Sequence, residues 1–181
     1  MSAILLDRDG VINKYPGDTK YVTRWSDFHF LPGVRLAIAK LHKAGFGIFL
    51  ISNQGGVGKG LFSQKTLDSI TAKMLTEIQR CGGKISGVYY CTHRKEDNCF
   101  CRKPRAGLVH TAKREHSLDL KKSIFIGDTI RDVLTAQAVG CQSILVLSGK
   151  EKLSNRKNWQ AKPDFIFKDL AQAAKFILKE R

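Results

Sequence analysis

The chain has 181 residues, 43% of them hydrophobic and 26% charged, a globular balance that excludes disordered and fibrous classes and predicts one domain over residues 1–181. Its longest apolar runs fall far short of the ~20 residues of a membrane-spanning helix, and the N-terminus carries neither a basic leader nor a cleavage site, so a cytoplasmic protein without membrane association is expected. Lys and Arg outnumber Asp and Glu by 31 to 16, a net charge of +15; with no block of five like charges, this excess is expected on solvated faces that favour anions, a small phosphorylated substrate being preferred to nucleic acid as partner and a monomer as the acting form.

Strand-like and helical runs alternate along the chain. Ala3–Leu6 is a short apolar strand closed by Asp7-Arg8-Asp9-Gly10-Val11. Two carboxylates two residues apart at a strand end must be solvated, paired or bound to a cation, which points to metal or phosphate chemistry. After the long loop 14–31, residues 34–44 have helical spacing at Val34, Ala37, Ile38 and Leu41, closed by Gly45, and Gly47–Ile51 is a second buried strand. Ser52-Asn53-Gln54-Gly55-Gly56 follows, a hydroxyl and a flexible backbone rich in N–H donors, equipment for an anion. Ser63–Gln79 reads as a helix with Ser63 as N-cap and Leu67, Ile70, Met74, Leu75 and Ile78 on one stripe. Ile85–Cys91 is the next strand, and the loop 92–105 the next irregular segment. Gly107–Glu115 is a helix and Ser123–Ile126 a strand, followed by Gly127-Asp128-Thr129-Ile130-Arg131-Asp132, a second carboxylate pair. A helix over Asp132–Val139 ending at Gly140, a strand over Ser143–Leu147, a loop over 150–163 and a helix over Leu170–Leu178 complete the pattern.

This alternation predicts a doubly wound parallel sheet with helices on both faces, a Rossmann-like α/β fold whose ligands sit beyond the carboxyl ends of the strands. There Asp7, Asp9, Ser52, Asp128 and Asp132 converge on one edge, with Lys103 as a cation from an intervening loop. Each element alone is an ordinary turn or cap; together, in this order, they make a site. The constellation resembles the haloacid dehalogenase superfamily of aspartyl-phosphate phosphatases over nearly the whole chain. With no insertion longer than roughly twenty residues, a separate cap domain is not expected. The resemblance implies that Asp7 forms the aspartyl-phosphate, and that Asp9 protonates the leaving oxygen and then deprotonates the water that hydrolyses the intermediate. It also implies catalytic Mg²⁺ held by Asp7, Asp128 and the backbone carbonyl of Asp9, with Asp132 orienting the metal shell and Ser52 and Lys103 holding the phosphoryl oxygens. A dehalogenase is disfavoured, because it lacks the second carboxylate that Asp9 provides.

A second constellation, Cys91-Thr92-His93 followed after five residues by Cys99-Phe100-Cys101, packs three thiols and an imidazole into eleven residues. Cys₃His is the donor set of a closed tetrahedral Zn²⁺ site, structural because no position remains for water. Its expected task is to pin the polar loop so that Arg102 and Lys103 point into the site. Cys81 and Cys141 read as ordinary buried residues. Within the superfamily, Cys-x-His…Cys-x-Cys-Arg-Lys-Pro resembles the heptose-bisphosphate and histidinol-phosphate phosphatase branch, a likeness that Asn13 and Ser52-Asn53-Gln54 extend. Asn13, Asn53 and Arg102 are the expected substrate contacts, Arg102 offering a planar fork to a phosphate or sugar oxygen. The segment Asn53 to Gly60 fails the pattern of a nucleotide-binding loop but is similar to that of DNA 3′-phosphatases, so DNA-end repair stands as the rival to a sugar bisphosphate. A non-enzymatic, zinc-stabilised binding module is disfavoured, since every catalytic position holds a competent residue.

Overall fold

The computed structural model describes residues 2–180. Six strands, β1 (Ala3–Leu6), β2 (Gly47–Asn53), β3 (Gly87–Cys91), β4 (Ile124–Gly127), β5 (Gln142–Val146) and β6 (Phe165–Phe167), form one parallel sheet in the order β3-β2-β1-β4-β5-β6. Five helices connect or close them: α1 (Val34–Lys43), α2 (Gln64–Arg80), α3 (Gly107–His116), α4 (Ile130–Val139) and α5 (Leu170–Lys179).

Strand alternation divides the core into two layers. Ile4 and Leu6 of β1, Ile48 and Leu50 of β2, and Ile144 and Val146 of β5 meet α1, α2 and α5. Ala3, Leu5, Phe49, Ile51 and Phe125 face the opposite layer with Leu108, Val109 and Ala112 of α3 and Ala136 of α4. Both sheet faces are covered, which is why the central strands read as unbroken apolar runs. The order turns at β1: the chain winds from β1 towards β3 on one side and through β4 to β6 on the other, leaving a crevice at the carboxyl ends of β1 and β4. The amide of Asp7 donates to the Ile126 carbonyl at 3.0 Å and fixes those two ends against each other.

The structure departs from the sequence reading in places. Strand β2 continues through Ser52 and Asn53 because both pair with β3, opposite Tyr90 and Cys91. Helix α4 begins two residues early at Ile130, since Thr129 and Asp132 form a capping box. The edge strand β6, with three residues, is too short to show a period in the sequence. Ser63 caps α2 as expected, accepting from the Thr66 amide. Cys141 is buried, but Cys81 is half-exposed, one position past the end of α2, where the chain leaves the core. None of the described helices is long and apolar enough to cross a membrane.

Candidate active site

The ends of β1, β2 and β4 bring together the residues that the sequence singled out. Asp7, Ser52, Lys103, Asp128 and Asp132 are all buried, and oxygens of Asp7, Asp128 and Asp132 lie within 4.8 Å of one another. Lys103 arrives from the loop before α3. Its Nζ contacts Asp7 Oδ2 at 2.9 Å and Asp132 Oδ1 at 2.6 Å and donates to the Ile51 carbonyl at 2.9 Å, so all three ammonium protons are used. Burial works against that charge, but Asp132 and Asp7 outweigh it and hold Lys103 protonated above the ordinary lysine range.

Three carboxylates against one ammonium leave a buried excess of negative charge. Burial pushes Asp128 well above the usual carboxylate range, and the charges of Asp7 and Asp132 add to it; burial raises Asp7 too, against the pull of Lys103. A hard divalent cation among these oxygens would remove the excess, so the donor set fits Mg²⁺. The Asp128 carboxyl is also clasped from two sides by bare backbone. A Cβ on Gly10 would stand 2.2 Å, and one on Gly149 2.0 Å, from Asp128 Oδ2, while the Lys150 amide donates to that oxygen at 2.8 Å. Gly10 further takes φ +82°, a left-handed conformation that only glycine adopts cheaply.

Asp9 is held differently. The fully buried Arg8 grips both of its oxygens at 3.1–3.2 Å, Asn13 Nδ2 donates to Oδ1 at 2.9 Å, and Gln54 Nε2 donates to Oδ2 at 3.0 Å and to Ser52 Oγ at 3.2 Å. The Arg8 guanidinium lies 6.0 Å from the rings of both Phe28 and Tyr90. Two expected substrate contacts are thus used within the chain. Asn13 is buried behind Asp9, away from the cleft. Asn53 lines the cleft, but its amide spends its nitrogen on the Lys103 carbonyl at 3.1 Å and its oxygen on the Lys103 amide at 3.0 Å, stitching β2 to the Lys103 loop. Arg102 lines the cleft as expected and also donates to the His93 carbonyl at 3.1 Å. The sequence names Arg8 and Gln54 only as members of their motifs, with no site role of their own. An arginine between two strand-end carboxylates was the available signal, since a charge placed there needs one of them as partner.

The cleft above these groups has a volume of about 190 Å³ and is rimmed by Tyr15, Asp18, Lys20 and Tyr21 of the 14–31 loop and by Arg102, Arg131 and Lys150.

Beside it, Cys91, His93, Cys99 and Cys101 form one cluster. Cys99 Sγ lies 3.5 Å from Cys91 Sγ and 3.4 Å from Cys101 Sγ, and His93 Nδ1 lies 3.3 Å from Cys101 Sγ and 3.8 Å from Cys91 Sγ. A tetrahedron with zinc–sulfur arms of about 2.3 Å has edges of about 3.8 Å, so this cluster matches its size and donor chemistry. Burial raises Cys91 and pushes Cys101 up to about 12, whereas at Cys99 burial is outweighed by hydrogen bonds from Cys101 and Cys91, which lower the thiol. The glycine-rich segment after β2 packs onto this loop. The Gly58 amide donates to the Thr92 carbonyl at 3.0 Å, and a Cβ on Gly58 would stand 2.5 Å from that oxygen. Those glycines permit close backbone approach between two loops.

The chain is similar to known proteins along its whole length. A family model described as HAD-hydrolase-like matches residues 100–173. The D-glycero-β-D-manno-heptose-1,7-bisphosphate 7-phosphatase of Neisseria meningitidis serogroup A is 33% identical over 183 residues, covering 99% of this chain and 96% of that protein. The enzyme of the same name from Vibrio cholerae is 37% identical over 156 residues, 82% of each chain. Among solved structures, the D,D-heptose 1,7-bisphosphate phosphatase of B. bronchiseptica, complexed with magnesium and phosphate, superposes with a TM-score of 0.93 at 33% identity, covering 100% of both chains. With its strand-end carboxylates, buried lysine and full-length likeness to these enzymes, the chain belongs to the haloacid dehalogenase-like hydrolases, in the family of the heptose-bisphosphate phosphatases.

Proposed function

We propose that the chain hydrolyses the 7-phosphate of D-glycero-D-manno-heptose 1,7-bisphosphate through an aspartyl-phosphate on Asp7. The observation that carries this reading is the likeness, along the whole chain, to phosphatases of that name, and the convergence of Asp7, Ser52, Lys103 and Asp128 supports it. The Asp7 carboxylate attacks phosphorus. Asp9 gives its proton to the departing sugar oxygen, then takes one from the water that cleaves the acyl-phosphate and regenerates the Asp7 carboxylate. Ser52 and the Lys103 ammonium hold the transferring phosphoryl oxygens where charge builds up. Arg8, Asn13 and Gln54 hold Asp9 at the cleft, Asn53 sets the height of Lys103, and Arg102 meets the substrate from the rim. Mg²⁺, held by Asp7, Asp128 and the Asp9 carbonyl with Asp132 behind them, would supply the charge neutralisation that lets a carboxylate approach a phosphate dianion. The zinc that Cys91, His93, Cys99 and Cys101 would hold shapes the Arg102–Lys103 loop and takes no part in proton or phosphoryl transfer.

The test is a substrate comparison with purified protein and Mg²⁺, using both anomers of the heptose bisphosphate, histidinol phosphate and a 3′-phosphorylated DNA oligonucleotide. Highest kcat/KM on the heptose bisphosphate is expected, with the 1-phosphate left intact in the phosphorus NMR spectrum. Preference for histidinol phosphate or for the DNA end would replace this reading.

A further inference from the structure

Three hollows meet at Arg131. It lines the catalytic cleft, a neighbouring basic hollow that also includes Lys95 and Arg105, and a third beside Glu151 and Trp159. Arg131 is the second residue of α4 and is exposed. Among the described residues its guanidinium has no hydrogen-bond or ion-pair partner. A planar fork of five donors, free at the mouth of a phosphatase cleft, is matched to a phosphate. The reacting phosphate has other partners, since Ser52 and Lys103 lie at the floor beside Asp7.

A second observation concerns Asp18, an acidic side chain on the rim of this cleft. Its carboxylate accepts from the Tyr15 hydroxyl at 2.7 Å and pairs with Lys150 from the loop after β5. Hydrogen bonds from Lys150 and Tyr15 hold Asp18 below the usual carboxylate range, and the positive charge of Arg131 acts in the same direction. The rim therefore already holds an anion, supplied by the chain itself, in the cleft that Arg131 also lines.

We propose that Arg131 is a specificity-determining residue that anchors a second phosphate of the substrate, and that Asp18 stands in for that phosphate on the cleft rim until the substrate displaces it. The proposal rests on the bisphosphate reading above and adds to it the group that distinguishes a bisphosphate from a monophosphate. A substrate with one phosphate leaves Arg131 unused and the Asp18–Lys150 pair intact. A bisphosphate takes Arg131 and competes with Asp18 for Lys150.

The measurement is the ratio of kcat/KM for heptose 1,7-bisphosphate to that for p-nitrophenyl phosphate. Arg131→Ala should lower this ratio about 30-fold, the size expected for losing a charge-assisted contact, with the loss in KM for the bisphosphate. Arg131→Lys, which keeps the charge, should recover the ratio to within about fivefold of wild type. Asp18→Asn should raise the ratio about threefold by weakening the internal competitor. An Arg131→Ala ratio equal to that of wild type, or a loss in kcat alone, would overturn the role of Arg131; a lower ratio in Asp18→Asn would overturn the stand-in. Wild-type protein inert towards the bisphosphate removes the phosphatase reading and the proposal with it, whereas wild-type turnover whose selectivity ignores Arg131 removes the proposal alone.

Discussion

Asp7 and Asp9 are two residues apart and live in opposite surroundings. Asp7 shares its one cation, Lys103, with Asp132 and sits next to Asp128, whereas Asp9 has an arginine to itself and amide donors on both oxygens. The crowded carboxylate is suited to attack once its excess charge is neutralised, and the tethered one to moving protons at a fixed place. Asp7→Asn should reduce turnover below about one per cent of wild type, because an amide cannot form the acyl-phosphate. Circular dichroism should show an unchanged fold, and retention of more than a few per cent of the rate would remove Asp7 as nucleophile. Arg8 is fully buried while Asp9 is half-buried at the cleft, so removing Asp9 would strand a buried charge, the costly way to break such a pair.

At the scale of elements, three strand ends and two loops make the site. Strand β2 carries Ser52 to the floor and Asn53 to the Lys103 backbone, and the cysteine loop delivers Arg102 and Lys103 directly after its last donor, Cys101. The order of this loop and the placement of Lys103 are therefore coupled. Replacing Cys99 with Ser should take zinc from one equivalent to near zero by elemental analysis, lower the melting temperature by several degrees and raise KM about tenfold, while Mg²⁺-dependent turnover persists. Unchanged zinc content, stability and kinetics in this variant, or no zinc in the parent protein, would exclude the structural-metal reading. The close backbone approach of Gly58 to Thr92 gives the glycine-rich segment a packing reason that its composition did not reveal.

The whole molecule places a negative interior inside a strongly positive chain. Asp128 and Asp7 both titrate above the ordinary range, with burial as the first cause. A raised native value contributes stability that is fully present below the ordinary aspartate value of about 3.9 and is lost as pH rises through the raised value. In chelator-treated protein these groups thus cost stability at neutral pH and less in mild acid. Mg²⁺ binds the ionised form and should stabilise most where that cost is largest, by about 2.7 kcal/mol at one hundred times its dissociation constant, or roughly 5–10 °C for a chain of this size. Thermal melts with EDTA or with Mg²⁺ at pH 5 and pH 7.5 check this. The shift should be clearly larger at pH 7.5, and equal shifts would separate the carboxylate cluster from the metal.

Much of this protein was legible along the chain. Apolar runs of strand length alternating with helical stripes predicted a parallel sheet covered on both faces, and a parallel sheet brings the residues after β1, β2 and β4 to one edge whatever the loops do. Asp7, Ser52 and Asp128 could be named for that reason, as could the cysteine cluster, whose four donors lie within eleven residues. The partners of those residues could not. Lys103 meets Asp7 and Asp132, Asn53 turns to the Lys103 backbone, Asn13 and Gln54 secure Asp9, and Asp18 reaches Lys150 across a separation of 132 residues. A hydrogen bond depends on distances of a few tenths of an ångström, and those follow from how loops of no fixed period come to rest on one another. Local pattern determined which residues arrive at the site; only tertiary packing decided which atoms they touch there.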